Sequence, residues 1–111
     1  MITGSLSPNV SIAEEKEDIL RIVSDQISRK IISSIQIMGK SASQISVEQN
    51  IELSKVYRRL RRMQRCSMLE TSFQVTPDGK KSYYYKSKIE GMNVRYHQDM
   101  FVVEFTFNSI S

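Results

Sequence analysis

Six cationic side chains fall within eleven residues of this chain: Lys55, Arg58, Arg59, Arg61, Arg62 and Arg65. Ammonium and guanidinium groups only donate hydrogen bonds, and they stay charged at neutral pH. The chemistry open to them is the binding of anions, above all phosphate oxygens, and donation to guanine O6 and N7. In the same run Val56, Leu60, Met63 and Ser67 recur at 4-3-4 spacing, so on a helix they share one face. At about 100° per residue, Lys55, Arg58, Arg62 and Arg65 project from the opposite face, with Arg59 and Arg61 flanking them. Ser54 precedes the run and is placed to accept a hydrogen bond from an early backbone N–H, as an N-cap does. No Asp or Glu lies between Glu52 and Glu70, so no i,i+4 ion pair relieves the repulsion. Isolated basic residues usually line a solvated helix face. Six without a counter-charge favour a polyanionic partner, and nucleic acid is the commonest one for a helix of this kind.

The elements that must position this run can be read on both sides of it. Upstream, Gly39-Lys40 ends one unit, and Ser41 or Ser43 caps a short helix through about Gln49 with Ala42, Ile45 and Val47 turned inward. Asn50-Ile51-Glu52 is a turn, because Asn tolerates the left-handed conformation that ends a helix. A short helix, a tight turn and a second amphipathic helix make a helix-turn-helix. Downstream of Leu69 the period changes from 3.6 to 2: Leu69, Thr71, Phe73 and Val75 alternate with Glu70, Ser72 and Gln74. Thr76-Pro77-Asp78-Gly79 is turn chemistry, and residues 80–88 return as a strand carrying Tyr83, Tyr84 and Tyr85. The tip of this hairpin presents Asp78, Lys80 and Lys81. The tyrosines read first as packing and hydrogen bonding at a half-buried sheet face, and secondarily as platforms for bases.

The first part of the chain reads as a loose tail over residues 1 to about 10, then a helix from Ser11. Ser11 with Glu14 has the spacing of a capping box, and the acidic group Glu14, Glu15, Glu17 and Asp18 suits a helix N-terminus. A second helix through about Met38, with Ile27, Ile31, Ile35 and Met38 as its stripe, begins at Asp25 or Ser28. One continuous helix from Ser11 to Met38 is the alternative, and a break near Asp25–Ser28 is preferred. At the other end, residues 89–97 and Met100–Phe107 alternate as strands around a turn at His97-Gln98-Asp99. The last strand should complete a sheet with residues 89–97 or pair with a second copy of the chain, since an apolar edge left open invites association.

Length and charge set the outer bounds. A chain of 111 residues with 40% hydrophobic content makes a single ordinary core. From Leu53 to Lys88 there are ten basic and two acidic residues, or +8, and the remainder has six against ten, or −4. This polarity is the footprint expected of a polyanion-binding surface. No apolar run reaches membrane-spanning length, and the first residues lack the basic and apolar regions of a signal peptide. With the single Cys66, which can form no internal disulfide, these features indicate a cytoplasmic protein. One Cys, one His and no Gly-rich phosphate loop leave little for an enzyme to work with. No cofactor or metal is expected: Cys66 reads as a buried small hydrophobe, and His97 lies in another element.

Taken together, Ile27-Ser-Arg-Lys-Ile-Ile, Ser41-Ala-Ser-Gln-Ile-Ser, Leu53-Ser-Lys-Val-Tyr-Arg-Arg-Leu, Met68-Leu-Glu and the hairpin to Tyr85 resemble archaeal and bacterial regulators of the ArsR-like winged-helix group. The resemblance covers about residues 25–88. It implies an α+β winged helix-turn-helix over residues 11–88, with an N-terminal helix, a β-hairpin wing and C-terminal β-strands at 89–111. It further implies a dimeric, sequence-specific transcriptional regulator that binds double-stranded DNA. By position, Ser54, Lys55, Tyr57, Arg58 and Arg61 would face the major groove. Arg59 and Arg62 would join them on the helix, Lys80 and Lys81 would sit at the wing tip, and Ser41 and Ser43 would open the positioning helix near phosphate. Arg58 and Lys55 are the expected base readers; Arg61, Arg62, Lys80 and Lys81 would hold the backbone. Two departures stand out: metal-sensing members use paired cysteines where this chain has Cys66 alone, and Ser67 stands where a helix-ending Gly is expected. The dimer surface is either the helix from Ser11, the C-terminal strands, or both. The residues name no small-molecule effector. The competing reading is a winged-helix module for an acidic protein partner; RNA is weaker, because no RNP-like motif is present.

Overall fold

A computed structural model describes residues 10–12 and 16–108. Of the expected tail over residues 1 to about 10, residues 1–9 lie outside the described residues, as do Glu14 and Glu15, whereas Val10 opens β1. The elements run β1 (Val10–Ile12), α1 (Lys16–Ser24), α2 (Gln26–Ser34), α3 (Ala42–Gln49), α4 (Leu53–Arg65), β2 (Leu69–Val75), β3 (Lys81–Ser87), β4 (Ile89–His97) and β5 (Met100–Phe107). The described residues are thus α+β, with four helices and two small antiparallel sheets, β2–β3 and β1–β5–β4. This is compatible with a winged-helix-like arrangement. Ser11 belongs to a strand rather than a helix start: β1 pairs antiparallel with β5, Ser11 opposite Phe105.

The break between the first two helices falls at Asp25. Its backbone is extended (φ −96°, ψ 117°), and its carboxylate accepts from the Ser28 backbone N–H at 3.1 Å and the Ser28 hydroxyl at 2.6 Å. This N-cap satisfies a donor that a continuous helix would have bonded internally. The second helix stops at Ser34, four residues short of the expected Met38. The reason is tertiary. The Ile35 carbonyl accepts from Ser87 N–H, and Lys40 exchanges two backbone hydrogen bonds with Tyr85 at 3.0 and 2.8 Å. The chain has to leave the helix to lie against β3, which leaves Ile37 and Met38 exposed.

Helix α3 is defined at both ends. Ser41 and Gln44 form a reciprocal capping box. Asn50 adopts the left-handed conformation (φ 54°), and the Ile51 N–H returns to the Ser46 carbonyl at 3.0 Å. The N-cap of helix α4 lies two residues before the expected Ser54. The Glu52 carbonyl accepts from both Lys55 and Val56 N–H, so the N-cap is Glu52, without a side-chain cap bond. The Ser54 hydroxyl instead donates to the Glu52 carboxylate at 2.9 Å. At the far end, Ser67 N–H bonds the Gln64 carbonyl and Met68 N–H bonds the Met63 carbonyl, with Ser67 at φ 57°. This is a Schellman closure with serine in the position that glycine usually takes, and it takes Ser67 off the buried face of α4. Replacing Ser67 with Gly should relieve the left-handed strain and stabilise the fold by about 0.5–1 kcal/mol, read as a melting temperature raised by a few degrees.

One core joins these pieces. Ile19, Ile22, Ile31, Ile35, Ile45, Val56, Leu60, Met63 and Met68 from the helical side meet Ile89, Val103 and Phe105 from the second sheet. The Met100–Phe107 strand does complete a sheet with residues 89–97; it lies centrally between β1 and β4. The two sheets are tied where β3 runs into β4. Asn108 Nδ2 donates to the Ser87 and Ile89 carbonyls and to Gln36 Oε1, while Gln36 Nε2 donates to Ile89. Burial of the core against this polar junction fixes the β2–β3 hairpin beside α4.

Candidate nucleic-acid interface

Helix α4 presents two chemically opposite faces because Val56, Leu60 and Met63 are 0–1% exposed and lock its orientation. Cys66 lies behind them, 3% exposed, as the small buried hydrophobe expected. The other side carries Lys55, Arg58, Arg61 and Arg65, all exposed, with Arg62 half-buried beside them. Among the described residues, none of these five, nor Lys80 or Lys81, forms a salt bridge. The repulsion inferred from the sequence is therefore left standing in the folded chain.

Arg59 departs from that group. Its Nε lies 2.9 Å from Asp25 Oδ2, and its side chain is 17% exposed. The guanidinium beside Asp25, with the hydrogen bonds from Ser28, holds the Asp25 carboxyl down at about 2, despite the opposing effect of burial. Arg59 thus clamps α4 to the start of α2, unlike the other cations of the helix. Ser54 is likewise engaged, by Glu52, and the Ser41 hydroxyl is consumed in capping α3. Ser43 stays exposed in the first turn of α3, where backbone N–H groups point outward. Tyr57 is 42% exposed on α4.

The β2–β3 hairpin extends this surface. Its turn is closed by Gly79 N–H to the Thr76 carbonyl and by Thr76 N–H to the Lys80 carbonyl, with Gly79 at φ 84°. The Thr76 hydroxyl bonds the Asp78 carboxylate, so Asp78 is occupied in the turn while Lys80 and Lys81 stay exposed. Where the hairpin meets α4, Gln64 Nε2 donates to Thr71 Oγ1 at 3.0 Å. The Tyr85 hydroxyl is pushed up from its ordinary value, first by burial and then by the nearby Tyr57 and Tyr83. Helix and hairpin therefore form one continuous surface of guanidinium, ammonium and phenol groups.

Sequence reasoning did not single out Phe73, 53% exposed, which pairs with Tyr83 on this hairpin. Its alternation within β2 was the available signal. Among the described residues no group of three or more His, Cys, Asp or Glu side chains could hold a metal ion, and no helix is long and apolar enough to cross a membrane. What the surface can do chemically is donate hydrogen bonds to anionic oxygens from several guanidinium and ammonium groups. Compared with known proteins, the chain matches no family model and no curated sequence.

Proposed function

We propose that this protein is a sequence-specific, double-stranded DNA-binding transcriptional regulator of the ArsR-like winged-helix type, acting as a cytoplasmic homodimer. The observation that carries this reading is the outer face of α4: Lys55, Arg58, Arg61, Arg62 and Arg65, without salt-bridge partners among the described residues, on a helix held by its buried opposite face. An α-helix fits the major groove, where Arg58 and Lys55 would read guanine edges. Arg61, Arg62, Lys80 and Lys81 would neutralise phosphates on either side of the groove, with Tyr57 donating to a phosphate or base. The first turn of α3, at Ser43, would meet the backbone through its free N–H groups.

Two copies would place their α4 helices about 34 Å apart and read a palindrome. The second sheet offers the surface for this. Its edge strand β4 is nine residues long, and Val94, Tyr96 and Met100 stand exposed around its outer end. Edge backbone and apolar side chains together favour strand-to-strand association. The testing experiment is selection from random-sequence duplexes followed by a salt titration of the selected site. The expected result is a palindromic site and a log K against log salt slope of roughly −5 or steeper for the dimer. Retention of no duplex at low salt would sink the proposal and leave an acidic protein as the partner of α4.

A further inference from the structure

The register of the β2–β3 hairpin sorts its side chains into two unlike faces. Thr71, Phe73 and Val75 lie opposite Tyr85, Tyr83 and Lys81 on one face; Glu70, Ser72 and Gln74 lie opposite Lys86, Tyr84 and Ser82 on the other. The first face is the one turned toward α4, as the Gln64–Thr71 hydrogen bond fixes. Beyond Thr71 and Tyr85 the helix no longer covers it. Phe73, Tyr83 and Val75 are 53%, 46% and 62% exposed. The Phe73 and Tyr83 rings stand 6.1 Å apart at 52°, and Lys81 Nζ lies 4.6 Å from the Phe73 ring centre. This face carries no carboxylate; Glu70 is on the other side, beside an open hollow of about 310 Å³ that includes Ser72, Tyr84 and Lys86.

An exposed aromatic pair continuous with a cationic helix suits a ligand that offers anionic oxygens and flat apolar surface within a few ångströms of each other. Nucleic acid has both, in its phosphates and its base faces. An exposed apolar side chain on a hairpin that reaches a duplex has a known physical option: it can enter the minor groove and partly unstack one base step, bending the duplex away from itself. We infer that Phe73 and Tyr83 form such a wedge, opening one base step of the minor groove beside the major-groove segment that α4 occupies. This rests on the reading of α4 as a duplex-binding helix. The wedge carries its own sequence preference, because pyrimidine–purine steps unstack most readily. Selected sites should then hold a TA or CA step at a fixed distance from the contacts of α4, at a position that no side chain reads by hydrogen bonding.

The test uses the full chain and duplexes of the selected site, each carrying 2-aminopurine at one position, with donor and acceptor dyes on the ends. The expected result is a several-fold fluorescence rise at one step per half-site and a shortened end-to-end distance on binding. The Phe73→Ala/Tyr83→Ala variant should lose both signals while affinity falls about tenfold. Tyr83→Phe, which keeps the ring, should retain both. If the double variant melts early, Phe73→Ser alone should lose the fluorescence rise. Wild-type binding with no rise at any position, or a rise that persists without the two rings, overturns the wedge and leaves the α4 reading intact. No duplex binding at any salt concentration overturns both.

Discussion

Alanine at both Arg58 and Arg62 is expected to weaken duplex binding at least a hundredfold and leave the melting temperature unchanged. Neither guanidinium has a salt-bridge partner among the described residues, and Ala propagates a helix at least as well as Arg. The folded state therefore loses nothing by the change. Binding loses two charge contacts per subunit. Arg58, opposite the buried face, would read a base edge, worth about 1–3 kcal/mol of discrimination. Arg62, closer to the core, would hold a phosphate, so its loss weakens all sequences alike. In the dimer the salt slope should fall by roughly 2, since Arg62 holds one phosphate in each subunit and each neutralised phosphate contributes about 0.9. Single variants separate the roles: Arg58→Ala relaxes specificity, and Arg62→Ala lowers affinity uniformly. Gel-shift titrations beside thermal melts check all three, and wild-type affinity in the double variant would refute the assignment of this face.

The opposite outcome is expected at Asp25, the ion-pair partner of Arg59. Asp25→Ala should destabilise the fold by about 3 kcal/mol with little change in DNA contacts. The carboxylate caps α2, accepts from the fully buried Ser28 hydroxyl and pairs with Arg59. Loss of a cap costs about 1 kcal/mol, and a buried donor left without its acceptor about 1–3 kcal/mol. These terms share one group, so they do not add in full. The pH dependence follows from the sign of the shift. The Asp25 pKa is about 2 in the folded chain against an ordinary 3.8, so the carboxylate stabilises the fold above the unfolded value. That contribution, on the order of 1–2 kcal/mol, disappears as pH falls from about 4 to 2. Urea unfolding between pH 6 and 2 should show wild type losing stability over that window more steeply than Asp25→Ala. A cycle with Arg59→Ala should give a coupling energy above about 0.5 kcal/mol; zero coupling would mean that the ion pair contributes nothing.

Local signals were the legible part of this chain. Ser41, one of the two caps expected for α3, Asn50, the Thr76–Gly79 turn and the alternation of residues 69–75 and 100–107 each specify their structure within a few residues, and each forms as read. The misreadings arose where a distant partner decides. Ser11 has good capping chemistry, yet its backbone pairs with Phe105. The helix expected through Met38 ends early because Ser87 and Tyr85 claim the backbone at Ile35 and Lys40. Ser54 is a better capping residue than Glu52 by type, but the first helical turn closes on the Glu52 carbonyl. For the site, the apolar back and cationic front of α4 were readable from spacing alone. Arg59 was not separated from its neighbours, although its position offered a hint. It sits about 60° from Val56 and about 40° from Met63 around the helix, at the border of the buried face. Only Asp25, 34 residues away, turns that border position into a clamp.

Helix α3 also bears on how sequences of this architecture can drift. Its hydrogen-bonding caps lie at its two ends, and only Ala42 and Ile45 of its eight residues are buried. Among the exposed positions, Gln44 returns a bond to Ser41 and Glu48 pairs with Lys40 at 2.6 Å, while the side chains of Ser43 and Val47 are nearly neutral ground for folding. Selection could rewrite that ground without unfolding the helix. Descendants of a common ancestor would keep a hydroxyl or carboxylate before the helix, a residue tolerant of positive φ after it and two small apolar pins between, and could share almost nothing else. In such a lineage ancestry fades from the letters of α3 while the angle at which it delivers α4 persists.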